Sequence, residues 1–182
     1  YRALIEFIEL TKRTGKEGDM MQFTTYAEAI HKALEAYAWD GQWFLRGYLA
    51  SGEKLGAQES EGANIFLNAQ SWAIVSGAFT GARARTAMDH VKDKLATEHG
   101  LLLNYPAFRK VNEAIGAITS FPPGLKENGS IFCHANTWGV IAEALLGNGD
   151  QAFQYYLAYL PATKNDSAEV YSMEPYVYAQ FI

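Results

Sequence analysis

The chain has 182 residues, 49% of them hydrophobic and 19% charged, the make-up of a globular protein with room for one sizeable core and not of a disordered tail. Its formal net charge is −5, with 15 Lys and Arg scattered, never more than two in succession, among 20 Asp and Glu, so no clustered basic footprint for a nucleic-acid backbone is present. The lone cysteine, Cys133, excludes an internal disulfide framework and a multi-cysteine metal site, and fits a reducing compartment, with the cytoplasm as the default expectation.

No apolar run approaches the roughly 20 residues of a membrane span, and no signal-peptide pattern opens the chain. Residues 1 to 14 start inside a helical pattern, with Leu4, Ile5, Phe7 and Ile8 on an apolar face. GKEGD, residues 15 to 19, reads as a turn, and residues 22 to 38 as a second helix with Tyr26, Ile30, Ala33, Leu34 and Tyr37 on its face. Trp43-Phe44-Leu45 and Gly52 suggest a short strand and a turn in the long connection over residues 39 to 68. AQSWAIVSGAF, from Ala69, reads as a helix buried all round, broken between Gly77 and Gly81; Ala84, Ala87, Met88, Val91 and Leu95 then mark an amphipathic partner. A second long connection, residues 98 to 131, precedes HANTWGVIAEALL, the turn GNGD and QAFQYYLAYL. The chain stops at PYVYAQFI without a helix stop signal, so residues 1–182 are expected to be part of a larger domain cut at both ends.

These helix pairs repeat. AQSWAIV aligns with ANTWGVI at an offset of 66 positions, matching Ala69 to Ala135, Gln70 to Asn136, Ser71 to Thr137 and Trp72 to Trp138. With a slip of one in the turn, Ala87-Met88 aligns with Ala152-Phe153, Val91 with Tyr156 and Leu95 with Leu160. Three helical hairpins with apolar helices inside and long loops at one end predict an all-α fold, about half of an α/α toroid, with a site at the loop end. Connections of this length are usually functional.

The residues offer several candidate chemistries. Pro122-Pro123-Gly124 is stiff chain entering a turn, and Lys126 and Glu127 behind it either grip sugar hydroxyls as donor and acceptor or form an exposed ion pair. His134 opens the third buried helix, where free backbone N–H groups favour an anion; otherwise it is a helix-start residue satisfied by a carbonyl. Trp72 and Trp138 are core or sugar platforms. Asp40 in WDGQWFLR is either a catalytic carboxylate, with Glu59, Glu61 or Glu174 as companion, or the first residue of an Asp-Gly turn. His31, His90 and His99 show no metal-ligand spacing, and no phosphate-binding glycine loop occurs.

AWDGQWFLRGY, GEKLG at 52 to 56, IFLNAQSWAIVSG, AMDHVKDKLATEHGL, FPPGLKENGSIFCHANTW, EALLGNGDQAFQYY and MEPYVYAQ, in that order, together resemble the catalytic domain of the cellobiose phosphorylase family, glycoside hydrolase family 94. The resemblance covers the chain from about Tyr26 to its end. It implies an (α/α)6 barrel and a homodimer that cleaves cellobiose or cello-oligosaccharide-type β-glucosides with inversion. Inorganic phosphate would be the co-substrate, α-glucose 1-phosphate the product, and no metal or organic cofactor is implied. Residue by residue, it points to His134 for phosphate, to Lys126 and Glu127 for the acceptor-side sugar, and to Gln70 for the sugar site. It also places the general acid in a W-N-D motif that this chain lacks, and a phosphate-site threonine beyond Ile182. Asp40 is then not the acid, and these residues alone are expected to be inactive.

Where cellobiose phosphorylases proper carry a glutamate and a tyrosine, this chain has Ala117 and Phe121. The loss of polar partners there points to a longer cello-oligosaccharide, a sugar acid or another glucoside as acceptor, with Phe121 lining the subsite. The alternatives are the phosphorylase-like domain of a cyclic β-1,2-glucan synthase and a catalytically inactive carbohydrate-binding fragment.

Overall fold

The computed structural model describes residues 1–182 apart from the side chain of Val170. It is mostly helical, with three helical hairpins in succession: α1 (Arg2–Arg13) with α2 (Glu17–Tyr37), α3 (Leu67–Val75) with α4 (Gly81–Lys94), and α5 (Cys133–Leu145) with α6 (Gly149–Tyr159). Helix α2 begins earlier than its apolar face predicts, at Glu17 and not residue 22. Glu17 and Asp19 lie in its first turn, where carboxylates are favoured by the helix dipole, and one glycine there is tolerated. No described helix is long and apolar enough to cross a membrane.

The connections carry three short antiparallel ribbons. β1 (Gly47–Tyr48) pairs with β2 (Lys54–Leu55), β3 (Ile65–Phe66) with β6 (Asn104–Tyr105), and β4 (Ala96–Thr97) with β5 (Gly100–Leu101). The strand expected at Trp43-Phe44-Leu45 is instead an irregular buried segment. Its backbone is held by a side chain and not by a neighbouring strand: Gln70 Oε1 accepts from the Phe44 N–H at 2.8 Å and Gln70 Nε2 donates to the Phe44 carbonyl at 2.9 Å. The Trp43 indole N–H donates to the carbonyls of Gly56 (3.0 Å) and Asn64 (2.7 Å).

The main core lies among α3, α4, α5 and α6, where Leu67, Ile74, Ala84, Met88, Val91, Ala135, Ala142 and Tyr155 meet Leu101 from β5. Full burial of each large apolar side chain stabilises by about 1.5–3 kcal/mol. Helices α3 and α5 pack side by side. Gly139 lets β5 approach α5 closely, since a Cβ there would lie 2.6 Å from Leu101 Cδ1. Gly100 has φ +134°, and a Cβ on it would lie 2.8 Å from Asn136 Oδ1.

The repeat is physical. Asn136 Oδ1 accepts from the Leu101 N–H at 2.6 Å, and its Nδ2 donates to the carbonyls of Leu101 and Phe132, both at 3.0 Å. Gln70 makes the same set, its third bond going to the Phe66 carbonyl at 3.0 Å. In both hairpins the fourth residue of the inner helix clamps the connection that follows the preceding outer helix. The outer helices align one position away from the sequence alignment: Ala152, Tyr155 and Tyr159 are buried in α6 as Met88, Val91 and Leu95 are in α4. Phe153, matched to Met88 by sequence, is 57% exposed.

Two expected apolar faces are open. α3 is not buried all round, because Trp72 is 40% exposed, and Phe7 and Leu10 of α1 are each 53% exposed. Thr11 is the buried residue of α1.

Candidate functional site

The loop that carries Lys126 is organised by Asn128, a fully buried side chain. Its Oδ1 accepts from the Phe108 N–H at 2.7 Å, and its Nδ2 donates to the carbonyls of Phe108 (2.9 Å) and Phe121 (2.7 Å). The Gly124 N–H donates to the Asn128 carbonyl at 2.8 Å, and the Ser130 hydroxyl donates to the Lys126 carbonyl. The proline pair thus enters a closed turn tied to the preceding connection. Lys126 sits in that turn at φ +49°, a left-handed conformation that costs a non-glycine residue on the order of 1–3 kcal/mol and clusters at functional sites. Its ammonium lies 4.9 Å above the Phe121 ring.

Lys126 and Phe121, singled out separately in the sequence, are therefore brought together as an aromatic surface capped by one cationic donor. Glu127 is exposed beside them, and the Lys126–Glu127 ion pair does not form among the described residues. Asn128 was missed by the sequence reading; a buried amide clamp has no local signature in a loop of polar residues.

His134 lies in the first turn of α5. Phe132 precedes the helix without a side-chain cap, and the Cys133 N–H donates to the Gln180 carbonyl at 3.1 Å. The N–H groups of His134 and Ala135 have no partner among the described residues, so two donors remain at the positive end of a 13-residue helix. The His134 ring is exposed and stands edge-on between Phe132 (5.6 Å) and Trp138 (5.4 Å).

An open cleft of about 600 Å³ faces this turn, lined by His134, Thr137, Tyr156, Tyr159, Tyr178 and Gln180. Gln180 is delivered by a backbone pairing of the last residues with the segment before α5: Phe132 bridges Phe181, and the Ile182 N–H donates to the Ile131 carbonyl at 2.9 Å. Gln180 is a second residue that the sequence reading left without a role, although MEPYVYAQ is among the motifs that carry the resemblance. Burial, then the Tyr156 hydroxyl, pushes the Tyr178 phenol up to about 12, so it is neutral at physiological pH. Burial also pushes the Cys133 thiol up to about 11, which leaves it an unreactive core group. Lys126 and His134 lie apart along this segment: four residues, 127 to 130, separate Lys126 from the bridge at Ile131 and Phe132.

Two other candidates have structural parts. Gln70, expected at the sugar site, is fully buried with both ends of its amide spent on backbone groups, so it has no hydrogen-bonding capacity facing an opening. Asp40 makes the turn: Oδ1 accepts from the N–H groups of Gln42 and Trp43, both at 3.1 Å, and Oδ2 from Gln58 at 2.9 Å. No contact joins it to Glu59, Glu61 or Glu174. Glu61 pairs instead with Lys110 at 2.7 Å on the surface, which holds its carboxyl below the usual range. No cluster of three metal-ligating side chains occurs among the described residues.

The model of the glycosyl hydrolase 94 superfamily, catalytic domain, matches residues 1–182. An N,N'-diacetylchitobiose phosphorylase of Vibrio proteolyticus is 40% identical over 182 residues, 99% of this chain and 23% of its own length. A solabiose phosphorylase of Paenibacillus borealis is 35% identical over 179 residues, 98% of this chain and 23% of its own. The cyclic beta-(1,2)-glucan synthase NdvB of Rhizobium meliloti is 34% identical over 159 residues, 85% of this chain and 6% of its own. The chain thus spans 23% of the length of the first two relatives.

Proposed function

The chain belongs to the catalytic domain of the glycosyl hydrolase 94 superfamily, and from that premise we propose that it supplies the phosphate-side and acceptor-side walls of an inverting β-glycoside phosphorylase. A phosphate oxygen bonds to the anomeric carbon from the face opposite the leaving group, the glycosidic C–O bond breaks, and the leaving oxygen takes a proton from a general acid. Phosphate replaces the base-activated water of an inverting hydrolase, so one carboxylic acid suffices. That acid is assigned to a part of the protein outside these 182 residues. The observation that carries the reading is the open first turn of α5, where His134, whose backbone N–H has no partner among the described residues, lines one cleft. Gln180 adds a carboxamide donor to the same cleft.

Lys126 over Phe121, with Glu127 beside them, is the acceptor wall: the ring offers an apolar face to a pyranose, and the ammonium donates to a hydroxyl. The three hairpins are half of a six-hairpin ring in a full-length protein that works as a cytoplasmic homodimer. The substrate is a β-linked disaccharide, cellobiose or cello-oligosaccharide-like by its motifs. The names of relatives such as the V. proteolyticus enzyme put N,N'-diacetylchitobiose beside these as a substrate. The test is phosphate-dependent release of α-sugar 1-phosphate by the full-length protein from cellobiose, cellotriose and N,N'-diacetylchitobiose. A failure to release it from any of these, and from every other β-linked disaccharide, overturns the proposal. Release from β-1,2-glucan alone selects the glucan synthase reading that the likeness to NdvB supports.

A further inference from the structure

We propose that Asn128 is a positioning residue of the acceptor site: its buried amide sets where Lys126 and Phe121 stand, so that the loop meets the acceptor sugar as a preformed wall. The inference rests on the phosphorylase reading above, with Lys126 on the acceptor side. Residues 122–127 are exposed, and the three that follow, Asn128, Gly129 and Ser130, are buried. Each of these three ties the loop to the preceding connection. The Asn128 side chain holds both backbone groups of Phe108. The Gly129 N–H donates to Asn104 Oδ1 at 3.1 Å, and the Ser130 carbonyl accepts from the Leu103 N–H at 2.9 Å. Gly129 has φ +81°, and a Cβ on it would lie 2.9 Å from Ala107 Cβ, so the loop is pressed against residues 104–108 there. Phe108 is itself seated in a core cluster with Ala63 and Phe66, which makes the anchor rigid.

Of these ties, the Asn128 amide also closes the loop on itself. Its Nδ2 gives a second bond to the Phe121 carbonyl, seven residues back. Its backbone N–H donates to the Leu125 carbonyl at 3.0 Å, and its carbonyl accepts from the Gly124 N–H. Phe121 and Asn128 are thus the two sides of a neck, and Lys126 lies in the turn beyond it. A left-handed lysine persists only where its surroundings over-determine it. Here the neck does so, together with the Ser130 hydroxyl bound to the Lys126 carbonyl. The outcome on the exposed side is the ammonium held over the Phe121 ring. A lysine on a slack loop would lose backbone freedom each time it gripped a sugar hydroxyl, whereas in this loop that freedom is lost on folding and the affinity is kept. Asn128 is fully buried, with Oδ1 and both Nδ2 hydrogens spent on backbone groups. It therefore acts on a sugar only through Lys126 and Phe121.

Asn128→Asp keeps the shape of the side chain and the oxygen that accepts from Phe108, but sets an oxygen against two carbonyls in place of the donor, so the neck opens. A double-mutant cycle in the full-length protein reads the consequence, with wild type, Lys126→Ala, Asn128→Asp and the double variant. The probes are the free acceptor and the α-sugar 1-phosphate in synthesis, and inorganic phosphate in phosphorolysis. Asn128→Asp is expected to raise KM for the acceptor about tenfold, with KM for phosphate and for sugar 1-phosphate within about twofold. In the Lys126→Ala background the same change should raise it by less than about threefold, because the side chain through which Asn128 acts is gone. A residue that only holds the fold together would give the same factor in both backgrounds, or a loss of active enzyme with every KM unchanged, and either result overturns the assignment. Ser130→Ala removes one bond to the Lys126 carbonyl and leaves the neck intact. It should raise KM for the acceptor about threefold, again only when Lys126 is present, and it decides the matter if Asn128→Asp yields no folded enzyme. A wild-type protein that releases no sugar 1-phosphate rejects the phosphorylase reading instead, and a silent Lys126→Ala rejects the acceptor wall, so the failures are distinguishable.

Discussion

Replacing Gln70 by Met separates an architectural role from a sugar-binding one. Met keeps the length and bulk of the side chain but removes three hydrogen bonds, at 2.8, 2.9 and 3.0 Å. Phe44 is 2% exposed, so its N–H and carbonyl cannot turn to water when the amide disappears. Each orphaned buried group costs about 1–3 kcal/mol, offset in part because Met buries no polar atoms. The net loss is about 3 kcal/mol, concentrated at the join between the 39–46 segment and α3. Hydrogen–deuterium exchange of the full-length protein should show it as a fall of roughly a hundredfold in protection of the peptide containing Phe44, since 1.4 kcal/mol is tenfold in an opening equilibrium. Protection in α6, far from the clamp, should be little changed. Unchanged protection around Phe44 together with a raised KM for the sugar would refute the reasoning and return Gln70 to the substrate.

His134→Ala should raise KM for phosphate by roughly 10–100-fold, the worth of a hydrogen bond to a charged group, with Tm unmoved because the exposed ring makes no hydrogen bond among the described residues; an unchanged phosphate dependence makes His134 structural. Lys126→Ala should raise KM for the acceptor in synthesis by a similar factor and leave phosphate alone, as initial rates at varied acceptor will tell. Lys126→Gly should lose the same affinity yet raise Tm relative to Lys126→Ala, because glycine relieves the strain at φ +49°. Burial, with the Asp89 charge, raises the Glu143 carboxyl above its ordinary value, against the Asn148 amide and Lys92, which lower it. The folded state then binds more protons than the unfolded one, so Glu143 makes stability fall as pH rises from the ordinary carboxylate value through the raised one. Glu143→Gln should flatten that part of the stability–pH curve and stabilise the protein at neutral pH, measured by denaturant midpoints across pH.

The hairpins were legible because inner and outer helices bury different numbers of faces, and their periodicity records it. The pairing of AQSW with ANTW was legible for the same reason, since side chains between packed helices are confined to matching sizes. The strand guess at Trp43-Phe44-Leu45 failed because an apolar run reports burial but not what satisfies its backbone, and here the partner is a side chain 26 residues away. That distant partner also made Gln70 look like a site residue: a polar group inside an apolar helix demands an explanation, and ligand and backbone are equally consistent with sequence alone. Phe153 went to the outside because Tyr155 and Tyr159 are bulky enough to fill the places of Val91 and Leu95 with the helix turned by one residue.

The two copies of the repeat differ where the proposed chemistry lies and agree where the packing lies. Gln70 and Asn136 keep one clamp with side chains of different length, and Ala69 and Ala135 keep the contact between helices small. Other positions diverge: Asn68 against His134, and Ser71, fully buried with its hydroxyl unpartnered among the described residues, against the exposed Thr137, whose hydroxyl lies 3.3 Å from the Tyr159 hydroxyl. A duplicated inner helix thus provides two equivalent helix starts on one face. Helix packing holds both rigid while their first turns, buried except for His134 and in part Asn68 and Ala69, carry different side chains. Gly139→Ala, which would press on Leu101 Cδ1 and push β5 away from α5, should strain the Asn136 clamp on Leu101 and lower Tm. An unchanged Tm would show that β5 shifts without cost and that the clamp does not depend on this glycine.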